Sequence, residues 1–273
     1  MPRRGTKSSN VNSICAFCAF LCLLCSVVSA QETRNLTPSQ AEIERQRQRL
    51  NSSDVEERRD AIMRLGSMRL AAASRAALPA LTDAEPIVRA TAAKAILSIG
   101  PEESVSSLLP LLNEKDEFVR RETAYALGLT HSRSATAALS ERLLNDKEDG
   151  VRAAAAVALG EIADEAAVVA LASALAPELS APAKKKQKRE PNVFVLRAAA
   201  TALGRIKSRA GTAALISALS NEKIPSDVRR EAARSLGLIG DPAAVPALRA
   251  ATTAEDPFLS EIAHQALKKL SRG

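Results

Sequence analysis

Four cysteines form the pattern in this sequence that most resembles a chemical site. They make two Cys-x-x-Cys pairs, Cys15 with Cys18 and Cys22 with Cys25, and zinc sites use this spacing. The residues among them are Ala, Phe and Leu, so the segment lacks a polar loop that could fold around a metal ion. We therefore predict no zinc site, and the chain after residue 30 contains no cysteine that could act as a nucleophile.

Histidines could also build a metal or catalytic site, and the chain has two, His131 and His264. Neither is followed by glutamate, because Ser132 comes after the first and Gln265 after the second. The sequence also lacks a glycine-rich phosphate loop and a nucleophile elbow. We therefore predict no catalytic, cofactor-binding or metal-binding residues and no cofactor, and these observations favour a protein without enzymatic activity while leaving an enzyme as the alternative.

A basic tract lies near residue 185 and contains Lys184, Lys185, Lys186, Lys188 and Arg189. Prolines surround it, and like charges beside prolines favour a disordered excursion, predicted over residues 176–192. The functional interpretation is an anionic partner, either a surface or a polymer, and the alternative is a solvated loop without a role. Nucleic acid is disfavoured, because the rest of the chain shows no basic stripe with stacking aromatic residues.

One sequence pattern recurs along the chain and defines the elements that hold the residues discussed above. VRRETAYALGLT, VRAAAAVALGEI, VLRAAATALGRI and VRREAARSLGLI are four copies of it, and more degenerate copies lie on both sides. We call the glycine of this pattern, or its equivalent, the marker. The marker residues are Gly66, Leu97, Gly128, Gly160, Gly204, Gly237 and Lys268, with spacings of 31, 31, 32, 44, 33 and 31 residues. Such a period is typical of stacked helical hairpins.

Apolar residues within each copy have helical spacing and predict two helices per repeat. We expect the marker glycine to end the first helix with a left-handed cap. Asp116, Asp149 and Asp227 are predicted to cap the next first helices, and Asp256-Pro257 has the form of a cap followed by proline. The 44-residue spacing contains the basic insertion.

The pattern V-R-x-x-A-A-x-A-L-G-x-I, followed by A-x-x-x-L-x-x-x-L, resembles HEAT-like repeats of the phycobilisome-lyase type over about residues 38–271. This resemblance implies an all-α fold, a right-handed α-solenoid of about seven stacked helical hairpins. The family contains adaptors, chromophore lyases and a metal-dependent hydroxylase, so the resemblance leaves function open. The His-Glu pairs with which the hydroxylase holds iron are absent here.

Two residue types recur at fixed places in the repeat. Phe118, Phe194 and Phe258 share one position and are predicted to pack between repeats, with an aromatic recognition surface as the alternative. Arginines precede the marker by eight residues and are predicted to form a structural ladder beside acidic turn residues, with a ligand-binding row as the alternative. The ladder residues are Arg58, Arg89, Arg120, Arg152 and Arg229, and the acidic residues are Asp83, Asp116, Asp149 and Asp227.

The amino terminus carries features of an export signal. Residues 1–30 combine a basic start, an apolar core and small residues before Gln31, which predicts cleavage after Ala30 and a periplasmic or secreted protein. The alternative is an uncleaved anchor, and cleavage would leave no transmembrane segment. Residues 31–52 are predicted to be a linker and a capping helix, which starts at the capping box of Thr37 to Gln40. The repeats then occupy residues 53–271.

These observations predict a non-catalytic scaffold that binds a protein partner on an extended solenoid surface. The alternatives are a lyase, a chromophore chaperone or a divergent oxidoreductase, and attachment to an anionic surface through the basic tract. We expect the second helices to line the concave face. The candidate contact residues there are Ser106, Ser107, Glu141, Arg142, Ser173, Ser217 and Arg249.

Overall fold

A computed structural model describes residues 37–176 and 192–271 of the chain. These residues form fourteen α-helices and no β-strand. The first helices of the repeats, called A helices, are α2 (Val55–Ser67), α4 (Pro86–Ala95), α6 (Glu117–Leu129), α8 (Asp149–Ile162), α10 (Val193–Ile206), α12 (Ser226–Ile239) and α14 (Pro257–Leu270). The second helices, called B helices, are α3 (Ala71–Ala77), α5 (Pro101–Leu108), α7 (Thr136–Asn145), α9 (Val168–Leu175), α11 (Thr212–Ser220) and α13 (Val245–Ala251), while α1 (Pro38–Arg49) precedes them all.

The A helices pack side by side in chain order, from α2 to α14, and form one layer. The B helices form a second layer and pack against the A helices. The predicted α-solenoid is thereby confirmed, with six complete hairpins between the single helices α1 and α14. Helices α8 and α10 pack directly on each other, so the stack continues across the insertion. The predicted signal peptide and the basic tract lie outside the described residues.

The core lies between the two layers and depends on leucines that directly precede the markers. Leu65, Leu127, Leu159, Leu203 and Leu236 are all inaccessible to solvent or nearly so. Many of the remaining buried residues are alanines, which let neighbouring A helices approach closely. None of the helices in the described ranges is long and apolar enough to cross a membrane.

The prediction that the marker glycines end the A helices is wrong, because these residues lie inside them. A Cβ atom on Gly128 would stand 2.7 Å from the Cα atom of Ala158, and one on Gly160 would stand 2.9 Å from the Cα atom of Ala202. The glycine is therefore required by the close packing of consecutive A helices and not by its own dihedral angles.

After six of the seven markers, the chain turns three residues on, where the backbone φ angle is positive. Six repeats share this feature, at Arg69, Gly100, His131, Ala163, Lys207 and Gly240. Only two of these positions carry glycine, which is why the sequence pattern did not reveal them. The residue that follows often caps the next turn, as Ser132 and Asp164 accept hydrogen bonds from backbone N–H groups two residues on.

The predicted caps of the A helices are right in part. Asp116 and Asp256 cap α6 and α14, and the capping box that starts at Thr37 is present at α1. Asp149 and Asp227 instead lie within the first turns of α8 and α12, where a carboxylate still complements the helix dipole. Helix α1 packs on α2 and α3, as expected for a capping helix.

The predicted packing role of the three phenylalanines holds only for Phe118, which is half-buried against the core. Phe194 and Phe258 are 64% and 67% exposed, so for these two the prediction is wrong. Their position lies at the outer side of the A layer, where the neighbouring repeat covers only part of each ring. An arginine side chain stacks on each of the three rings, at 5.0–5.7 Å from the ring centroid.

Candidate protein-interaction surfaces

The exposed side of the B layer carries one side chain from each hairpin at the same position, nine residues after the marker. We call these residues the B row. They are Arg75, Ser106, Ala137, Val169, Ala213 and Pro246, and all six are exposed. From α7 onward the row is uncharged, and Val169 is 77% exposed, the largest value among the exposed large hydrophobic residues of the described chain.

The candidate contact residues predicted from sequence all lie on B helices, with Ser106 in the B row itself and the other six near it. Ser106, Glu141 and Arg249 are exposed, and Ser107, Arg142, Ser173 and Ser217 are half-buried. Several of these side chains form hydrogen bonds or ion pairs within their own helix. Ser106 and Ser107 donate to the backbone carbonyl of Glu103, Ser173 donates to that of Val169, and Glu141 pairs with Arg142.

Apart from Ser106, the polar candidates therefore flank the B row, and the row itself consists of small apolar residues from Ala137 to Pro246. The sequence analysis missed Ala137, Val169, Ala213 and Pro246 because it selected polar side chains. An alignment of the repeats on their markers could have identified these residues, since all four lie nine residues after a marker.

The arginine ladder lies at the opposite ends of the A helices from the markers, where it joins successive turns. Arg120 donates from Nε and Nη2 to both carboxylate oxygens of Asp146, at 2.9 Å each. Its Nη1 donates to the backbone carbonyls of Glu114 and Lys115. Arg120 thus fastens the turn before its own helix to the turn before the next A helix.

Two further ladder arginines make the same connection. Arg58 reaches both oxygens of Asp83 at 2.8 and 2.9 Å, and Arg89 reaches Glu114 at 3.2 Å. Asp116, which the sequence analysis expected beside the ladder, instead caps a helix. The acidic partner lies 25 or 26 residues after the arginine, a spacing slightly shorter than one repeat.

The last two ladder positions depart from this arrangement. Arg152 pairs with Asp149 within its own helix, and the position 26 residues on falls outside the described ranges. Arg229 donates to the backbone carbonyl of Leu219. The neighbouring Arg230 takes over the connection by binding both oxygens of Asp256, at 2.7 and 2.9 Å.

Two carboxylates of the ladder, those of Asp83 and Asp146, are stabilised in their charged form. Hydrogen bonds from Arg58 lower the pKa of Asp83 below its usual value. Burial alone would raise the pKa of Asp146, but the hydrogen bonds from Arg120 and from the backbone of Glu148 outweigh it, so that this pKa is also lowered. At Arg58 and Arg120 the charges of the ladder are therefore already matched within the protein.

Residues that could carry chemistry are scattered. His131 occupies a left-handed turn position with its Nδ1 atom 2.9 Å from the carbonyl oxygen of Glu161, and His264 is exposed on α14. Glu57 and Glu103 are bound by Arg49 and Arg75. Across the described residues, no three His, Cys, Asp or Glu side chains come together as a metal site would need.

The outer side of the A layer carries a groove beside the exposed Phe194. It encloses about 300 Å³ and is lined from three consecutive A helices. Its walls include Tyr125 of α6, Val157 of α8 and Phe194 of α10, and Arg197 and Arg205 stand along it. The sequence analysis singled out Phe194 but did not anticipate a cleft at its side.

Comparison with known proteins agrees with this architecture. The family model for HEAT repeats matches residues 43–128, 105–185 and 182–268. The Escherichia coli protein YibA has a similar structure, with a TM-score of 0.58 and 20% identity over 86% of this chain and 82% of that one. The CpcE–CpcF complex of phycocyanin lyase from Nostoc sp. gives a TM-score of 0.50 and 24% identity over 87% of this chain and 92% of that one.

An engineered protein is also similar, with a TM-score of 0.52 and 24% identity over 85% of this chain and 69% of that one. No curated protein sequence gives a significant match. At these identities the structural similarities show the fold alone. Because the repeat model covers nearly the whole described chain and the A and B helices stack as such repeats do, the chain belongs to the HEAT-repeat family.

Proposed function

We propose that this protein is a non-catalytic scaffold that binds a partner protein on its B-layer surface. The observation that carries the proposal is the uncharged B row from Ala137 to Pro246, with the highly exposed Val169 at its centre. Exposed apolar side chains with a polar rim are typical of protein-binding surfaces. Glu141, Arg142, Ser173, Ser217 and Arg249 supply that rim.

Photo-crosslinking tests this proposal. A photoreactive amino acid placed at Val169 should crosslink to a defined partner in cells that express the protein naturally, and Val169→Glu should reduce co-purification of that partner at least about tenfold. The matched control is Leu129→Glu, because Leu129 is an exposed leucine at the end of the A-layer helix α6 and does not line the groove beside Phe194. Equal loss in both variants, or no crosslinked partner from Val169, would contradict B-layer binding.

We further propose export to the periplasm or the exterior, supported by the layout of residues 1–30. Fractionation of the native cells, with the mature amino terminus determined by sequencing, tests this. Recovery of the intact chain from the membrane would favour the uncleaved anchor instead.

Attachment to an anionic surface is the second candidate function, and the basic tract Lys184–Arg189 supports it. Changing its five basic residues to glutamine should abolish co-sedimentation with vesicles that contain anionic lipid. Unchanged co-sedimentation, or none with the natural chain, would remove this candidate. Lyase and hydroxylase activities are not proposed, because similarity at this identity transfers only the fold.

A further inference from the structure

The groove on the A layer is a second candidate binding site, separate from the B row. It is lined from α6, α8 and α10 by Tyr125, Val157, Gly160, Phe194, Arg197 and Arg205, with small residues between them. Consecutive A helices approach closely at Gly160, and this approach keeps the floor of the groove free of large side chains. The site is thus a product of the stack and not of any one repeat.

The walls of the groove favour an apolar side chain. Val157 and Phe194 are exposed by 36% and 64%, although both would be more stable in contact with apolar atoms. The volume of about 300 Å³ lies at the lower end of the range for small-ligand pockets, and accommodates one or two side chains.

The charges of the groove favour a carboxylate next to that apolar side chain. Two arginines line it, and no acidic residue is among the described residues that do so. Arg205 is held by Glu161 at 2.5 and 2.9 Å. Arg197 stacks on Phe194 and lies 3.6 Å from Asp227, which exceeds a normal hydrogen-bond distance, and its side chain is about half exposed.

Arg197 is therefore prepositioned by its stacking on Phe194, and its ion pair with Asp227 is long, so that no described residue accepts a hydrogen bond from its guanidinium group. A guanidinium group fixed by stacking loses little conformational entropy when it binds a carboxylate. We propose that this groove binds a polypeptide segment in which an apolar side chain enters between Val157 and Phe194 and an adjacent acidic residue pairs with Arg197.

The equivalent groove nearer the amino terminus supports this choice of partner by contrast. It encloses about 450 Å³ and is lined by Met63, Ile87 and Phe118, but Lys94 and Glu122 both line it and pair at 3.1 Å. Because a carboxylate is already present there, an acidic partner is favoured less. Of these two grooves, the arginine-lined one formed by α6, α8 and α10 is the one that favours an acidic and an apolar group together.

Fluorescence anisotropy with purified full-length protein tests the inference. The probe is a labelled short peptide with a central Phe-Leu pair between runs of glutamate, and the comparison peptide has lysine in place of every glutamate. We expect saturable binding of the acidic peptide only. Arg197→Glu and Val157→Lys should each weaken it at least about tenfold, which corresponds to about 1.4 kcal/mol.

Arg234→Glu is the matched control, because Arg234 is an exposed arginine on the adjacent α12 that does not line the groove. It should change the affinity less than twofold, and circular dichroism should show all variants folded. Non-saturable binding, equal binding of the lysine peptide, or equal effects of Arg197→Glu and Arg234→Glu would overturn the inference. Val169→Glu should leave peptide binding unchanged, so failure here is distinguishable from failure of B-layer binding.

Discussion

Arg120 and Asp146 form the most buried ion pair of the arginine ladder. Their side chains retain only 5% and 2% of their accessible surface, whereas most other ion pairs of the described chain are far more exposed. Exposed pairs contribute about 0–1 kcal/mol, but removal of one partner from a buried pair leaves an uncompensated charge. The Arg120–Asp146 pair therefore contributes to stability only while both carboxylate oxygens of Asp146 accept hydrogen bonds from Arg120.

We predict that Asp146→Asn lowers the free energy of unfolding by about 3 kcal/mol at neutral pH, because Arg120 would remain buried without a counter-charge. Urea denaturation would measure this. Glu141→Gln is the control, since the exposed Glu141 also pairs with an arginine but should contribute less than about 1 kcal/mol. Similar losses in both variants would contradict the special role of burial.

The same pair predicts a pH dependence. The lowered pKa of Asp146 means that its contribution to stability is fully present above the usual aspartate value of about 4, and is lost as pH falls through its folded-state pKa. The difference in stability between the natural protein and Asp146→Asn should therefore shrink below about pH 4. A constant difference down to pH 2 would show that ionisation of Asp146 contributes nothing.

At the scale of the helix, the marker glycine is the residue that sets how closely the A helices pack. Alanine is a better helix former than glycine by about 1 kcal/mol, so a marker glycine inside a helix lowers its intrinsic stability. The position nevertheless carries glycine in five repeats, because the next A helix occupies the space of a Cβ atom. Tertiary packing thus overrides helix propensity.

We predict that Gly128→Ala destabilises the protein by about 2 kcal/mol, since its Cβ atom would stand 2.7 Å from the Cα atom of Ala158 and force α6 and α8 apart. Chemical denaturation of purified protein is the measurement. Gly150→Ala is the matched control in α8, where the nearest atom would be 3.7 Å away, and it should be neutral or slightly stabilising. A neutral Gly128→Ala would refute close packing at the marker.

At the scale of the whole molecule, the stack is continuous although the sequence period is not. The 44-residue spacing places the insertion between α9 and α10, yet α8 and α10 pack on each other as other consecutive A helices do. Solenoid stability is a sum of repeat and neighbour contributions, so this contact should couple the two halves.

Replacement of residues 178–190 by a short Gly/Ser linker should therefore change stability by less than about 1 kcal/mol, because loop-closure entropy varies slowly with length. Thermal unfolding followed by circular dichroism should retain a single transition. Gly160→Leu, which places a large side chain in the contact between α8 and α10, should separate it into two. Two transitions in the linker variant would mean that the insertion itself joins the halves.

The sequence by itself determined the helical period, the positions of the seven A helices and the place of the insertion, because each repeat must bury the same apolar stripe. It overestimated the number of hairpins, since six are complete and the last A helix has no B helix among the described residues. It also indicated three arginines that join successive turns, Arg58, Arg89 and Arg120. It missed that Arg230 and not Arg229 makes the last such connection, and it misplaced some acidic partners. The capping rules gave a wrong prediction for the marker glycines. The sequence pattern of a glycine that ends a helix is the same as that of a glycine that lies against a neighbouring helix.

Only the tertiary structure decided which side chains stay exposed. Phe118 and Phe194 occupy the same repeat position, yet one is half-buried and the other largely exposed, because the surroundings come from adjacent repeats that differ in sequence. The exposure of Val169 and the groove beside Phe194 were likewise identified only from the tertiary structure. Burial in a solenoid depends on residues one repeat away, which a pattern within a single repeat does not contain.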